Sequence, residues 1–329
     1  MPTQAGAREY GPGDCARPQQ ADAHCGRACA LFSLKQLDEA RLSNDRALAL
    51  DPDHVEAHWN RARISLIAGD FAAGWDEQKL RWKLYEWRAN TPWFMNAGSQ
   101  KTFWTGNEPI AGKTVLVHAE QGFGDFVQFC RYLPMVRELG ANVVEAKARL
   151  IPLLKTLAGE FVFVDTGLPD FDFYCSILDL PRAFKTRLES VPTKVPYLFA
   201  DPKKQECVRA RLGATSAPRI GLVWSGNPAR QVDRQRSIPL KLLEPLLRQP
   251  LAFHCLQKDI APEERALMES FGVQAHSEEQ NDFSDTAALI AGMDLVVSID
   301  TAVAHIAGAM GKAPVYFPSK SHHIQKNLQ

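Results

Sequence analysis

Near the C-terminal end of this sequence, Asp294-Leu295-Val296-Val297-Ser298-Ile299-Asp300 runs directly into Thr301-Ala302-Val303-Ala304-His305-Ile306-Ala307-Gly308-Ala309-Met310-Gly311. The apolar run is short and ends in Ser-Ile-Asp-Thr. The residues after it are small and carry a single histidine. This pattern predicts a buried strand feeding a helix N-terminus, with a capping pair, Asp300 and Thr301, at the junction. A helix N-terminus leaves backbone N–H groups without intrahelical partners and carries a partial positive charge. It is therefore a natural seat for phosphate, and a chain that builds one late in an α/β pattern is expected to handle a nucleotide.

The rest of the chain supports the α/β half of that expectation from Gly112 onward. Thr114–Ala119 reads as a buried strand, followed by Glu120-Gln121-Gly122-Phe123-Gly124-Asp125 and a helix to Leu139. Asn142–Ala146, Phe161–Asp165 and Phe171–Ser176 read as further strands, with a helix over Arg149–Leu157. After a connector at Pro192–Pro202 the alternation restarts. Strands are predicted at Arg219–Trp224 and Leu251–Leu256, and helices at Leu240–Leu247, Pro262–Phe271 and Ala287–Gly292. Strands alternating with helices give parallel sheets wound on both faces. The fold class is therefore α/β, with two Rossmann-like halves facing each other: an N-terminal half over residues 113–200 and a C-terminal half over 201–329.

Ahead of these halves, residues 1–20 are rich in Gly, Pro, Ala and Gln and are expected to be disordered. Residues 21–90 carry a helical pattern that repeats at a spacing of 34, placing Ala28 on Ala62, Leu37 on Phe71 and Ala40 on Gly74. The first unit closes at Asp51-Pro52 and the second has its inner turn at Gly69-Asp70. This resembles a tetratricopeptide repeat, in which small residues stand where two helices touch. Residues 91–112 are read as a linker in an aromatic-dense bridge that includes Trp82, Tyr85, Trp87, Trp93, Phe94, Phe103 and Trp104. Such a bridge serves either as a sugar platform or as a wedge between domains.

Lys+Arg and Asp+Glu are both 38, so the formal net charge is zero and nothing points to a nucleic-acid partner or a basic membrane face. No run has the ~18 apolar residues of a membrane span, and no signal peptide opens the chain, so a cytoplasmic location is expected. Seven cysteines, Cys15, Cys25, Cys29, Cys130, Cys175, Cys207 and Cys255, are scattered without a C-x-x-C pair. His24-Cys25 with Cys29 is at most the outline of a metal motif, and small residues within a helix pair is the plainer reading. No metal site is expected.

Four stretches carry residues suited to chemistry. Gly122, Gly124 and Asp125 follow the first strand, at the sheet edge where open α/β sheets bind ligands. Asp125 either faces the cleft or caps its helix. A dinucleotide fingerprint requires Gly at position 127, where Val127 stands, although Glu145 would suit the ribose role. Ser225, Gly226 and Asn227, with Arg230, Arg234 and Arg236 beyond, follow the first strand of the second half. Of these, Arg236 is placed to touch a phosphate. Gln257 and Lys258 end another strand and would meet a nucleobase or ribose, or remain loop polars. Ser298, Asp300, Thr301 and His305 form the last group. Asp300 would repel a phosphate, so its expected work is to cap the helix and orient the loop. Thr301 and His305, four residues apart, are the anion contacts.

Together these residues resemble the heptosyltransferase-like glycosyltransferases, family 9-like, of the two-Rossmann GT-B architecture. Gly122-Phe123-Gly124-Asp125 is similar to that family's turn after the first strand. Asp300-Thr301-Ala302-Val303-Ala304-His305 is similar to its late Asp-Thr-Gly-x-x-His signature, with Ala where Gly is usual and one extra residue of spacing. Fused repeats also look like a group of bacterial repeat-glycosyltransferases. The resemblance implies an inverting transfer of sugar from a nucleotide-diphosphate sugar to an acceptor hydroxyl on a glycan, lipid or protein. It implies Asp125 as general base, Arg236, Thr301 and His305 on the donor diphosphate, and no metal or other cofactor. The family continues beyond the Asp-Thr element, whereas here Pro314–Pro318 and a polar tail follow. The C-terminal half is thus expected to be incomplete, with a looser donor site. Two alternatives stand beside this reading. One is a repeat scaffold that binds a protein partner through its helices and has an inactive glycosyltransferase-like domain. The other is an NAD-type oxidoreductase, against which Val127 argues.

Overall fold

The computed structural model describes residues 16–83, 102–145, 147–164, 167, 169–226, 236–312 and 314–317. The chain divides into two compact units, one holding the N-terminal helices together with Lys185–Val191, the other holding two sheets.

The helical unit contains α1 (Ala16–Ser33), α2 (Leu37–Leu50), α3 (Val55–Ile67) and α4 (Phe71–Gln78). α1 begins inside the N-terminal segment that composition marked as disordered, and residues 1–15 lie outside the described residues. Turns at Lys35 (φ 63°) and Gly69 (φ 83°) reverse the chain within each pair. α3 and α4 are capped by His54 and Asp70, which accept from Ala57 N and Ala73 N, both at 3.2 Å. The aligned small residues Ala28, Ala40 and Ala62 are fully buried. Gly74 is required by contact: a Cβ there would sit 2.6 Å from Leu66 Cδ2. Small residues thus let paired helices close on each other, as the 34-residue spacing anticipates.

The second unit holds β1 (Thr102–Phe103), β2 (Val115–His118), β3 (Val143–Glu145), β4 (Val162–Val164) and β5 (Phe173–Ser176) in one parallel sheet of order β1-β5-β2-β3-β4. Its other strands are β6 (Arg219–Val223), β7 (Ala252–Cys255), β8 (Gln274–Ala275), β9 (Leu295–Ser298) and β10 (Pro314–Tyr316), in a second parallel sheet of order β10-β9-β6-β7-β8. Between and after them run α5 (Phe123–Phe129), α6 (Leu133–Glu138), α7 (Ile151–Leu154), α8 (Leu180–Ala183), α9 (Pro202–Leu212), α10 (Glu244–Leu247), α11 (Pro262–Ser270), α12 (Phe283–Ala291) and α13 (Ala302–Ala309). The α/β reading with two parallel sheets is thus observed. The central strands are buried along their length: all of β2, and Leu222, Val223, Val296 and Val297 of β6 and β9. Helices on both faces of a parallel sheet require such continuous apolar runs.

Several boundaries differ from the sequence reading. Residues 102–103 are not linker. They form β1 and pair with Phe173 and Tyr174 of β5. Trp104 is buried in the unit's core, where its indole N–H donates to Glu108 O (3.2 Å) and its ring meets Phe184 edge-on. It is no surface platform. Tyr85, Trp87, Trp93 and Phe94 of the aromatic stretch lie outside the described residues. The helix predicted at Ala287–Gly292 starts earlier, at Phe283, because the Asp282 carboxylate accepts from Ser284 N (2.7 Å) and Asp285 N (3.3 Å). α9 was not anticipated. It is almost wholly polar and buries only Val208, but Asp201 caps it and Pro202 opens it. Among the described residues no helix is long and apolar enough to cross a membrane.

Candidate functional site

Four strands of each sheet share one winding, and the sheets differ only at one edge, where β1 enters first and β10 enters last. In the first, the chain lays β3 and β4 on one flank of β2 and then returns to place β5 on the other. In the second, β7 and β8 fall on one flank of β6, then β9 and β10 on the other. The order reverses between β2 and β5 and between β6 and β9. Loops leaving the carboxyl ends of strands diverge at such a reversal and leave a crevice. The Gly122–Asp125 turn follows β2, Ser225-Gly226 follow β6, and Asp300-Thr301 follow β9. The sequence therefore put three of its four candidate stretches at the two reversal points.

At the first reversal, Glu120 is buried and its carboxylate accepts from the Ser176 hydroxyl at the end of β5. Gln121 then adopts φ 62°, a left-handed backbone uncommon outside glycine, and turns the chain into α5. Gly122 is the N-cap of that helix. Asp125, three residues on, reaches back so that its Oδ2 accepts from Gly122 N (2.9 Å). Asp125 is therefore not itself the N-cap that the sequence offered; it stands at N3 and closes the first turn by accepting from the N-cap amide. Burial holds the Asp125 carboxyl above its usual range. The Gly122 amide and His305 act in the opposite direction, and the neighbouring Asp300 adds to the rise.

At the second reversal the junction after β9 differs from the sequence reading. Thr301, not Asp300, is the N-cap of α13. The Thr301 hydroxyl lies 3.2 Å from Ser298 Oγ. Asp300 faces a guanidinium and an imidazole instead. Its Oδ2 accepts from Arg236 Nη1 (3.3 Å) and its Oδ1 lies 3.4 Å from His305 Nε2. Arg236 is brought in from a stretch 64 residues earlier, so long-range pairing has displaced a local cap.

The two reversals meet through α5 and α13. A Cβ built on Gly124 would lie 2.8 Å from His305 Cδ2 and 3.5 Å from Ala302 Cα. Beside this contact the Phe123 ring packs on Phe283 of α12, centroids 4.8 Å apart, with Lys147 Nζ 5.0 Å from the Phe123 centroid. Asp125, Arg236, Asp300, Thr301 and His305 thus belong to one neighbourhood: a carboxyl with raised proton affinity beside an arginine, a second carboxylate, a histidine and a helix N-terminus.

Residues 280–321 match the family described as Glycosyltransferase family 9 (heptosyltransferase). The likeness falls on α12, β9, α13 and β10, the strip that carries Asp300, Thr301 and His305. Over 331 aligned residues the chain is 28% identical to Protein FlbA of Caulobacter vibrioides, covering 91% of this chain and 54% of that protein. The chain therefore spans about half the length of the curated relative it matches. Among solved structures it is similar to the glycosyl transferase family 9 protein from Veillonella parvula (11% identity, TM-score 0.46, covering 64% of this chain and 82% of that one). It is also similar to the E. coli ADP-heptose lps heptosyltransferase II (14% identity, TM-score 0.40, 64% and 88%).

Not every residue that the sequence singles out is turned toward the sheet edges. Ser298 is fully buried and its hydroxyl donates to Ile299 O (2.6 Å), so it supports the loop rather than touching a ligand. Gln257 is also buried. Its Oε1 accepts from both Trp224 N (2.7 Å) and Ser225 N (2.8 Å), which fixes the loop after β6 and leaves the amide unsuited to a base or ribose. Lys258 is exposed and donates to Ser277 O (2.8 Å). Gly226 N donates to Ser237 Oγ (3.2 Å), while Asn227, Arg230 and Arg234 lie outside the described residues. The sequence reading gave no role to Glu120, Ser176 or Ser237, and the only available signal was their position at strand ends. Val127 is buried in α5. Cys25 is buried in α1, as the small-residue reading expects, whereas Cys29 is exposed; the sulfurs of both accept from Asn60 Nδ2 (3.3 and 3.1 Å). Among the described residues no group of three or more His, Cys, Asp or Glu is arranged to hold a metal ion.

Proposed function

We propose that the two-sheet unit transfers a sugar from a nucleotide-diphosphate sugar to an acceptor hydroxyl on a glycan, lipid or protein, with inversion and without a metal ion. The single observation that carries this reading is the Gly124–His305 approach, which sets Asp125 beside Asp300, Thr301 and His305. The match of residues 280–321 to a glycosyltransferase family supports it.

In this mechanism Asp125 takes the proton from the acceptor hydroxyl. The acceptor oxygen attacks the anomeric carbon from the face opposite the leaving group. The bond from that carbon to the diphosphate breaks, and the nucleoside diphosphate departs with the electron pair. Arg236, His305, the Thr301 hydroxyl and the first-turn amides of α13 receive the developing negative charge, the work a metal does elsewhere. A raised pKa suits Asp125 to this task, since a base of very low proton affinity gives little driving force. The helical unit serves as an arm that recruits the acceptor or a protein partner, and the donor's chemistry fits a cytoplasmic setting.

The reading is tested by thermal-shift screening against UDP, GDP, ADP and CMP, followed by donor hydrolysis in the parent and in Asp125→Ala. A ligand that binds only the folded state raises its apparent stability. Hydrolysis in the parent that is lost in the variant supports catalysis, and equal turnover in both counts against it. One observation favours a second reading, an inactive glycosyltransferase-like scaffold: the Asp125 carboxylate is already engaged as a helix cap. Nucleotide binding without turnover in either protein would select it.

A further inference from the structure

Asp300 turns both carboxylate oxygens onto the side chains that, in the reading above, hold the donor diphosphate: Oδ2 onto Arg236 and Oδ1 onto His305. A carboxylate in that position competes with an incoming phosphate for the same donors and repels it. The Arg236–Asp300 pair is not sealed in the core. The two side chains are 24% and 32% exposed, so solvent weakens the pair and the groups are able to separate. Asp300 is also relieved of the capping duty that would have fixed it, because Thr301 holds the N-cap position.

We propose that Asp300 is an internal counter-anion to Arg236, keeping Arg236 and His305 clustered until a diphosphate displaces its carboxylate. The proposal rests on the phosphate-seat reading and deepens it. Asp300 acts as a positioning residue: it spares the protein an uncompensated guanidinium and sets a threshold that only a multiply charged anion overcomes. The same carboxylate lies close enough to Asp125 to influence its proton affinity, which ties the occupied state of the seat to the base.

The test is calorimetric titration of inorganic pyrophosphate, then of ADP, UDP and GDP, into the full chain as parent, Asp300→Asn, Arg236→Gln and the double variant. If the pair is closed about nine-tenths of the time, removing the carboxylate tightens binding about tenfold. In the Arg236→Gln background the gain should shrink to under about twofold, because the two residues are coupled. Pyrophosphate binding in Asp300→Asn but not in the parent also supports the proposal. A parent that binds pyrophosphate with no gain in Asp300→Asn overturns the counter-anion and leaves the phosphate seat standing. A full gain retained in the Arg236→Gln background overturns it too, since the effect would then be bulk charge. No binding in either the parent or Asp300→Asn overturns both the seat and the counter-anion. Asp300→Ser, which also removes the carboxylate, substitutes if the asparagine variant does not fold.

Discussion

Gly124 and His305 approach so closely that a methyl group on the glycine would stand 2.8 Å from the imidazole Cδ2. The α5–α13 contact therefore depends on the absence of a side chain at one position. Gly124→Ala is expected to push His305 and the start of α13 aside, at an overpacking cost of about 1–3 kcal/mol. Because a displacement near 1 Å is enough to spoil a binding geometry, nucleoside-diphosphate affinity should fall roughly tenfold to a hundredfold. Thermal unfolding and calorimetric titration read the two effects. A folded variant with parental affinity would detach His305 from the seat.

Asp125→Asn keeps an oxygen to accept the Gly122 N–H but cannot take a proton. Turnover should drop by about 10²–10⁴ with little change in the unfolding midpoint. With Asp125 as the proposed base, the rate requires its ionised carboxyl, and burial raises its pKa above the ordinary aspartate value of 3.8. Activity should therefore rise with pH through a midpoint higher than that of a free aspartate. Steady-state rates across pH decide the matter, and a midpoint at or below 3.8 would contradict the burial argument.

His254 and His276 are both buried, with His254 Nδ1 3.1 Å from His276 Nε2. One ring must donate and the other accept, so the pair is built for two neutral imidazoles. Arg219 and Arg211 on neighbouring elements oppose protonation, while Glu279 beside His276 favours it. Burial lowers both pKa values, that of His254 from 6.5 to about 4. A buried neutral histidine with a depressed pKa contributes stability that is fully present above the unfolded value. As pH falls, the unfolded chain takes up protons first. Stability should decline between pH 6.5 and about 4 as His254 titrates, by up to about 1.4 kcal/mol per pH unit, with His276 acting in the same direction. Urea unfolding across this range measures the slope, and His254→Phe should flatten it.

Cys29 is exposed, its neighbour Cys25 and the Asn60 amide both favour its thiolate, and its pKa is lowered to about 6. Alkylation of Cys29 by iodoacetamide should reach half its maximal rate near pH 6. The partner Cys25, buried and pushed upward by the same pairing, should stay unreactive. Peptide mapping after brief labelling reads both thiols. Cys25→Ala should move the Cys29 midpoint upward, and an unmoved midpoint would discard the pairing account.

What local sequence could reveal, and what it could not, divides by range. β9 and α13 were legible because an apolar run and a small-residue helix announce themselves within a dozen residues. The parallel sheets followed from repeated alternation, and the buried Ala28, Ala40 and Ala62 from spacing alone. Asp300 shows the limit. Asp and Thr are both good caps, and the choice between them turned on Arg236, 64 residues away. Gln257 stayed between two readings, ligand contact or loop polar, for the same reason: the backbone amides that occupy its side chain lie more than thirty positions earlier. α9 escaped because its polar sequence buries a single valine, and β8 because two residues give no periodicity.

The shared winding of the two sheets also fixes an order of assembly. β6 receives β7 and β8 on one flank as the chain emerges, and its other flank stays open until β9 arrives. Asp300 and His305 follow β9 directly, so the residues proposed to hold an anion come together only when β9 joins β6, with β10 still to be added at the edge. A nascent chain stopped before Ile299 would therefore carry Asp125 in place, opposite an unfinished wall.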